Sequence, residues 1–156
     1  MAELPKRDDI VYGSTKSYIA TTSTAFRQWV ALSHCNTIHG YSLTFKATFE
    51  ADELDARSWV VDFGSLKSFK GWLEKTFDHT TLVSADDPQL DWFKEAHNRK
   101  IIDMREVEAT GCEATARMVF EYLEMWLKDN GYTPRVRLVR IDVSEHQGNS
   151  AYVRLR

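Results

Sequence analysis

The strongest signals along the chain are two stretches in which apolar and polar side chains alternate. From residue 41 to 51, Leu43, Phe45, Ala47 and Phe49 fall on one side and Ser42, Thr44, Lys46 and Thr48 on the other, the period of an antiparallel strand with one buried face. Residues 136–143 alternate in the same manner, turn at Gly148 and Asn149, and lead into a closing strand at 151–153. Tyr, Ile and Thr enrich residues 17–26, which predicts an earlier strand joined to the second by a connection over 27–34. A short strand is expected at 59–64, stopped by Gly64 and Ser65.

Helical spacing takes over behind it. Leu66, Phe69, Leu73 and Phe77 share one face with Trp72 alongside, which predicts a helix with Ser65 as its N-cap. Asp86, Asp87 and Pro88 offer a cap-plus-proline start for a shorter helix through Trp92 and Phe93, and residues 101–104 read as a brief strand. The clearest helix covers 113–128, with Ala114, Met118, Val119, Tyr122, Leu123 and Trp126 as its stripe and Asn130-Gly131 as its stop. The first fourteen residues are polar and carry little period, a loose arm pinned at Ile10, Val11 and Tyr12. An arm over 1–16 then precedes one domain over 17–156. The order of elements predicts an α+β fold, an antiparallel four-stranded sheet with helices on one face.

Composition narrows the function more than the fold. A chain of 156 residues can bury its core without staples. Lys and Arg number 20 against 23 Asp and Glu, and no basic run occurs, so the charge gives no general attraction to nucleic acid or to anionic membrane. Cys35 and Cys112 lie far apart, and no apolar run has the length of a signal core or a span. Two free thiols in a reducing cytoplasm are expected.

The chemistry concentrates in residues 33–41, Ser-His-Cys-Asn-Thr-Ile-His-Gly-Tyr. A thiol and an imidazole four residues on stand at the mouth of a rigid strand. A thiol serves as a base near neutrality when a cation or imidazole stands beside it, and His34 and His39 both flank Cys35. On residue type alone Cys35 reads as an inert half-buried thiol, His79 as a helix C-terminal residue and Glu145 as a solvated charge. Asp62 reads as a turn residue, Cys112 as structural, and Lys16, Arg27 and Lys46 as basic groups facing water.

Four short motifs change those readings. Cys-x-x-x-His-Gly at 35–40, Val-Val-Asp-Phe-Gly-x-Leu-Lys at 60–67, Asp-His-x-x-Leu at 78–82, and Glu145 followed by Ala151-Tyr152 occur in the order of one family. The chain resembles the 6-pyruvoyl-tetrahydropterin and 6-carboxy-tetrahydropterin synthases over roughly residues 17–153. The resemblance implies the tunnelling fold, whose subunits assemble into an oligomeric barrel with active sites at subunit interfaces. It implies 7,8-dihydroneopterin triphosphate as small-molecule substrate. Cys35 matches the catalytic base, Asp78 and His79 the proton-relaying pair, and Glu145 the pterin anchor, a carboxylate able to accept two parallel N–H bonds.

The metal positions depart from the pattern. The family holds zinc with three histidines, two in a His-x-His pair whose alternate residues share a strand face and one on the preceding strand. Here only His39 matches; the others read Tyr41 and, by register, Phe26. His34 and His146 are candidate replacement ligands, and Tyr41 becomes a candidate substrate contact. The segment at the start of the long helix also departs, reading Gly111-Cys112-Glu113-Ala114-Thr115. The expected activity is that of a 6-carboxy-tetrahydropterin synthase-like lyase on the route to deazaguanines such as queuosine precursors. Triphosphate elimination by the pyruvoyl-forming reaction is the alternative, as is a non-catalytic pterin- or purine-binding protein.

Overall fold

The structure, a computed structural model, describes residues 9–156. In chain order the elements are β1 (Tyr12–Tyr18), β2 (Thr24–Phe26), a 3₁₀ turn (His34–Asn36), β3 (His39–Tyr41), β4 (Thr44–Ala51), α1 (Lys67–Phe77), β5 (Thr80–Ser84), α2 (Leu90–Asn98), β6 (Met104–Val107), α3 (Cys112–Asp129), β7 (Val136–His146) and β8 (Asn149–Arg154). The two alternating stretches form the middle of an antiparallel sheet in the order β1-β4-β7-β8. β4 turns Phe45, Ala47, Phe49 and Ala51 inward, where they meet Phe69, Leu73 and Phe77 of α1 and Val119, Leu123 and Leu127 of α3 in one apolar cluster. Burial of the Phe, Leu and Val side chains among them, each contributing roughly 1.5–3 kcal/mol, supports the rest. The expected α+β architecture is present.

A second sheet, β3-β2-β5-β6, was not expected. Its β2–β3 pair is antiparallel and its β2–β5 and β5–β6 pairs are parallel. β5 is buried at every position, so it lacks the alternation that marks a half-exposed strand, and Thr-Thr-Leu-Val-Ser gave no period to read. The strand expected over 17–26 is two strands. β1 ends at Tyr18, the chain turns through Ala20 at φ +46, and β2 follows. Tyr12 to Lys16, assigned to an arm, pair with Ala51 to Ala47 of β4; residues 1–8 of that arm lie outside the described residues.

Three local expectations are corrected by local hydrogen bonding. Residues 59–64 form turns rather than a strand: Asp55 Oδ1 accepts the N–H groups of Arg57 (2.9 Å) and Trp59 (3.0 Å), and Asp62 Oδ1 accepts that of Gly64 (2.8 Å). Carboxylates that capture nearby backbone donors compete with a strand ladder. Ser65 does not cap α1, whose N-cap is Leu66; its hydroxyl donates to Asp62 O at 2.7 Å and meets the Tyr132 hydroxyl. The brief strand expected at 101–104 lies further on, in β6, because the backbone of Lys100 and Ile101 closes α2. No helix among the described residues is long and apolar enough to cross a membrane.

β7 carries two irregularities that matter for chemistry. Against β4, Thr48 pairs with Arg140 and Phe49 with Leu138, leaving Val139 as an extra residue. Buried positions consequently shift from Val136 and Leu138 to Ile141 and Val143, and residue 145 acquires the parity of that buried face. Against β8, Ser144 pairs with Ser150 and His146 with Asn149, so Glu145 is itself the extra residue. A bulge of this kind re-aims the side chain it carries.

Candidate functional site

The segment between β2 and β3 is held by polar contacts. Arg27, at the end of β2, grips Asp87 with both arms of its guanidinium, Nε to Oδ2 at 2.8 Å and Nη2 to Oδ1 at 2.6 Å. Trp29 Nε1 donates to Asp86 at 3.0 Å, and Asn36 Nδ2 donates to the Trp29 carbonyl at 2.9 Å. Gln28 N–H donates to Cys35 O at 2.9 Å, closing the segment on itself. Cys35 therefore stands, partly buried, in a short 3₁₀ turn braced from beneath.

The β2–β3 register sets Phe26 opposite His39 and Thr24 opposite Tyr41. Gly40 is required between them, because a Cβ there would lie 2.5 Å from the Thr24 carbonyl oxygen. Phe26, His39 and Tyr41 consequently share one face, with ring centroids 5.0 Å apart for Phe26–His39, 5.6 Å for His39–Tyr41 and 6.0 Å for Phe26–Tyr41. His39 Nδ1 lies 2.8 Å from the Thr37 carbonyl oxygen, which assigns the proton to Nδ1. The face that holds His39 thus carries a buried benzene ring and a phenol beside the imidazole.

Glu145 and Cys112 meet next to Tyr41. Gly111 precedes α3 at φ +104 and lies against Gln28, which brings the first turn of the helix up to the Cys35 segment. The Glu145 carboxylate is near enough to the Cys112 thiol to act on its charge. Burial first, then the charges of Glu145 and Glu113, push that thiol from the usual 9.0 to about 12. Tyr41 is raised as well, by burial and then by Glu145, Cys35 and Cys112. Its phenol stays protonated at neutral pH, a hydrogen-bond donor with Cys35 and Glu145 both near enough to act on it. His146 stands at the edge of this group, 6.2 Å from the Tyr41 ring.

Asp78 and His79 lie at the end of α1. Asp78 Oδ1 accepts the Ser23 N–H at 2.9 Å and stands 3.0 Å from His79 Nδ1, and these contacts hold its carboxyl below the ordinary range. The pairing directs His79 Nε2 outward as the free nitrogen, and the ring is largely exposed. It borders a hollow of about 800 Å³ lined also by Gly40, Tyr41, Thr81, His97 and Lys100, a size suited to a small molecule. Cys35 and Glu145 are not in that lining. Tyr41 is shared between the hollow and the thiol–carboxylate group.

A family model described as 6-pyruvoyl tetrahydropterin synthase matches residues 16–155. The chain belongs to that family. Among curated relatives, a 6-carboxy-5,6,7,8-tetrahydropterin synthase of Aquifex aeolicus is 26% identical over 113 residues, covering 70% of this chain and 69% of that one. The enzyme of the same name from Rickettsia bellii is 33% identical over 64 residues, 40% of this chain and 46% of its own length, so the chain matches less than half of that relative. An uncharacterized protein of Wolinella succinogenes superposes with TM-score 0.79 at 18% identity, covering 94% and 99% of the two chains. The 6-pyruvoyl tetrahydropterin synthase of Plasmodium vivax does so with TM-score 0.68 at 14% identity over 93% and 98%. These likenesses establish the tunnelling fold.

For a member of this family the metal positions are unusual. Phe26 is 2% exposed and offers no lone pair where a ligand would be needed. The replacement candidates do not gather with His39. His34 sits in the exposed 3₁₀ turn, and His146 uses Nδ1 to accept the Gly148 N–H at 3.0 Å. Among the described residues no group of three His, Cys, Asp or Glu side chains is arranged to hold a metal ion. The residues present do not fit the family's zinc. Cys112, read from the sequence as structural, lies within the electrostatic reach of Glu145, and the signal for it was its place at the departed helix-start motif. His97 and Lys100 carried no signal, since their approach to β3 depends on the unexpected second sheet.

Proposed function

We propose that the protein is a 6-carboxy-tetrahydropterin synthase-like lyase acting on 7,8-dihydroneopterin triphosphate, on the route to deazaguanines. The observation that supports this reading is the face that His39 and Tyr41 share at the mouth of β3, just past Cys35, with His146, the neighbour of Glu145, 6.2 Å from the Tyr41 ring. Glu145, aimed by its bulge, anchors the amino-pyrimidinone edge through two N–H bonds to a charged acceptor. Cys35 takes a proton from the substrate side chain. The Tyr41 phenol donates to the side-chain oxygen on which charge develops, a weaker stabilisation than a metal would give.

His79 returns protons through Nε2 while Asp78 fixes its tautomer. Because Cys35 and the hollow bordered by His79 are separate in lining, the reading places the two halves of a site on different subunits. Cys35 and Glu145 of one copy face Asp78 and His79 of a neighbour in an oligomeric barrel.

A non-catalytic pterin- or purine-binding role is the second reading, favoured by Phe26 and Tyr41 at the metal positions. Incubation with 7,8-dihydroneopterin triphosphate, following acetaldehyde and the carboxylated pterin, separates the two. The lyase reading expects both products from the wild type and neither from Cys35→Ala. Equal inertness of both proteins with pterin binding intact leaves only the binding role, and release of triphosphate with a pyruvoyl product selects the alternative elimination.

A further inference from the structure

Among the side chains that line the hollow beside His79, His97 and Lys100 are nitrogen-bearing groups to which the chemistry above assigns no task. Both come from the end of α2. The helix closes with Ile101 N–H donating to Ala96 O and Lys100 N–H to His97 O, each at 2.9 Å, an arrangement that needs a left-handed residue just past the cap. Glycine is the unstrained occupant of such a position, yet here it is Lys100 at φ +59. The end of α1 repeats the pattern, with His79 at φ +55 following the C-cap Asp78. Two helices thus place a nitrogen-bearing side chain where backbone preference asks for glycine, and both side chains border one hollow.

The charges around that hollow leave Lys100 uncommitted. Asp103 also lines it, but its carboxylate is gripped by Arg105, Nη2 to Oδ2 at 2.9 Å. Asp78 is engaged by Ser23 and His79. The Lys100 ammonium has no hydrogen-bonded or ion-paired partner among the described residues. Met104 N–H donates to His97 Nδ1 at 3.1 Å, so the neutral His97 ring carries its proton on Nε2 as a donor. Asp103 Oδ1 lies 3.9 Å from the same Nδ1.

We propose that Lys100 and His97 form a phosphate-binding rim that receives the anionic tail of the substrate, in the same hollow where His79 meets its side chain. The inference rests on the pterin triphosphate reading and adds the residues that would distinguish a phosphorylated from an unphosphorylated pterin. An ammonium is a compact point charge suited to a flexible phosphate chain, and the imidazole N–H adds a directed bond.

Equilibrium binding of 7,8-dihydroneopterin triphosphate and of unphosphorylated 7,8-dihydroneopterin to the wild-type assembly, Lys100→Gly and His97→Gln tests it. Lys100→Gly is chosen because it relieves the left-handed strain, so its thermal midpoint should rise while its affinity for the triphosphate falls about ten-fold. Affinity for the unphosphorylated pterin should stay unchanged, and His97→Gln should show a smaller loss of the same selectivity. Triphosphate affinity unmoved in Lys100→Gly, or equal loss for both ligands, overturns the rim alone. Failure of the wild type to bind either pterin overturns the pterin reading, and the rim with it.

Discussion

Phe26 faces His39 across the β2–β3 pair with ring centroids 5.0 Å apart, and Tyr41 completes the same face. The backbone still offers a convergent triad of positions; only the side chains decline the metal. Restoring them should restore it. Phe26→His with Tyr41→His is expected to acquire stoichiometric zinc by elemental analysis, whereas wild type purified beside it carries none. Either single variant should stay nearly metal-free, because two imidazoles on a strand pair lack the third ligand that a zinc site needs.

Glu145 owes its direction to the two extra residues of β7. Glu145→Gln keeps the shape but replaces a charged acceptor with a neutral amide that can accept on only one atom. Pterin affinity should fall about ten- to a hundred-fold, about 1.5–3 kcal/mol, in a titration that leaves thermal stability close to wild type.

Sequence patterning revealed β4, β7 and β8 of the large sheet, α1 and α3, because each buries one face and exposes the other, whereas most of β1 was read as an arm. It could not reveal β5, buried throughout, or the shift of phase in β7, whose only trace is the adjacent pair Leu138-Val139. The motifs named Cys35, Asp78, His79 and Glu145 as site candidates, and the β2–β3 pairing sets Phe26 opposite His39. What they missed depends on spatial neighbours. Cys112 reaches Glu145 only because Gly111 brings α3 against Gln28, and Lys100 reaches the hollow only through the β5–β6 pairing.

Arg27 and Asp87 tie the Cys35 segment to the turn before α2. The Asp87 side chain is 1% exposed against 18% for Arg27, so Arg27→Ala strands a buried carboxylate. Unfolding free energy should drop by about 2–3 kcal/mol, somewhat less than for a fully enclosed pair because water still reaches the guanidinium position. The pair holds Asp87 below its ordinary 3.8. Its contribution is therefore complete above that value and is lost as pH falls through the lower folded-state value. Urea unfolding of the two proteins should differ at neutral pH and converge in strong acid.

Cys112 predicts the opposite limb. Its thiol is raised from 9.0 to about 12 in the folded state, so the unfolded chain loses that proton first. Stability should be intact below pH 9 and decline as pH climbs toward the folded value. Tyr18, raised from 10.0 to about 12 by burial, adds a second decline that begins later. Cys112→Ala should delay the onset of alkaline destabilisation, read from urea midpoints between about pH 8 and pH 11, without abolishing it.

Acetaldehyde release from 7,8-dihydroneopterin triphosphate, measured on the assembled wild type before and after exhaustive chelation, bears most directly on a tunnelling-fold site that works with aromatic rings at its metal positions. The expected result is the same rate in both samples and no release from Cys35→Ala. Release that disappears on chelation and returns with added zinc would contradict the account.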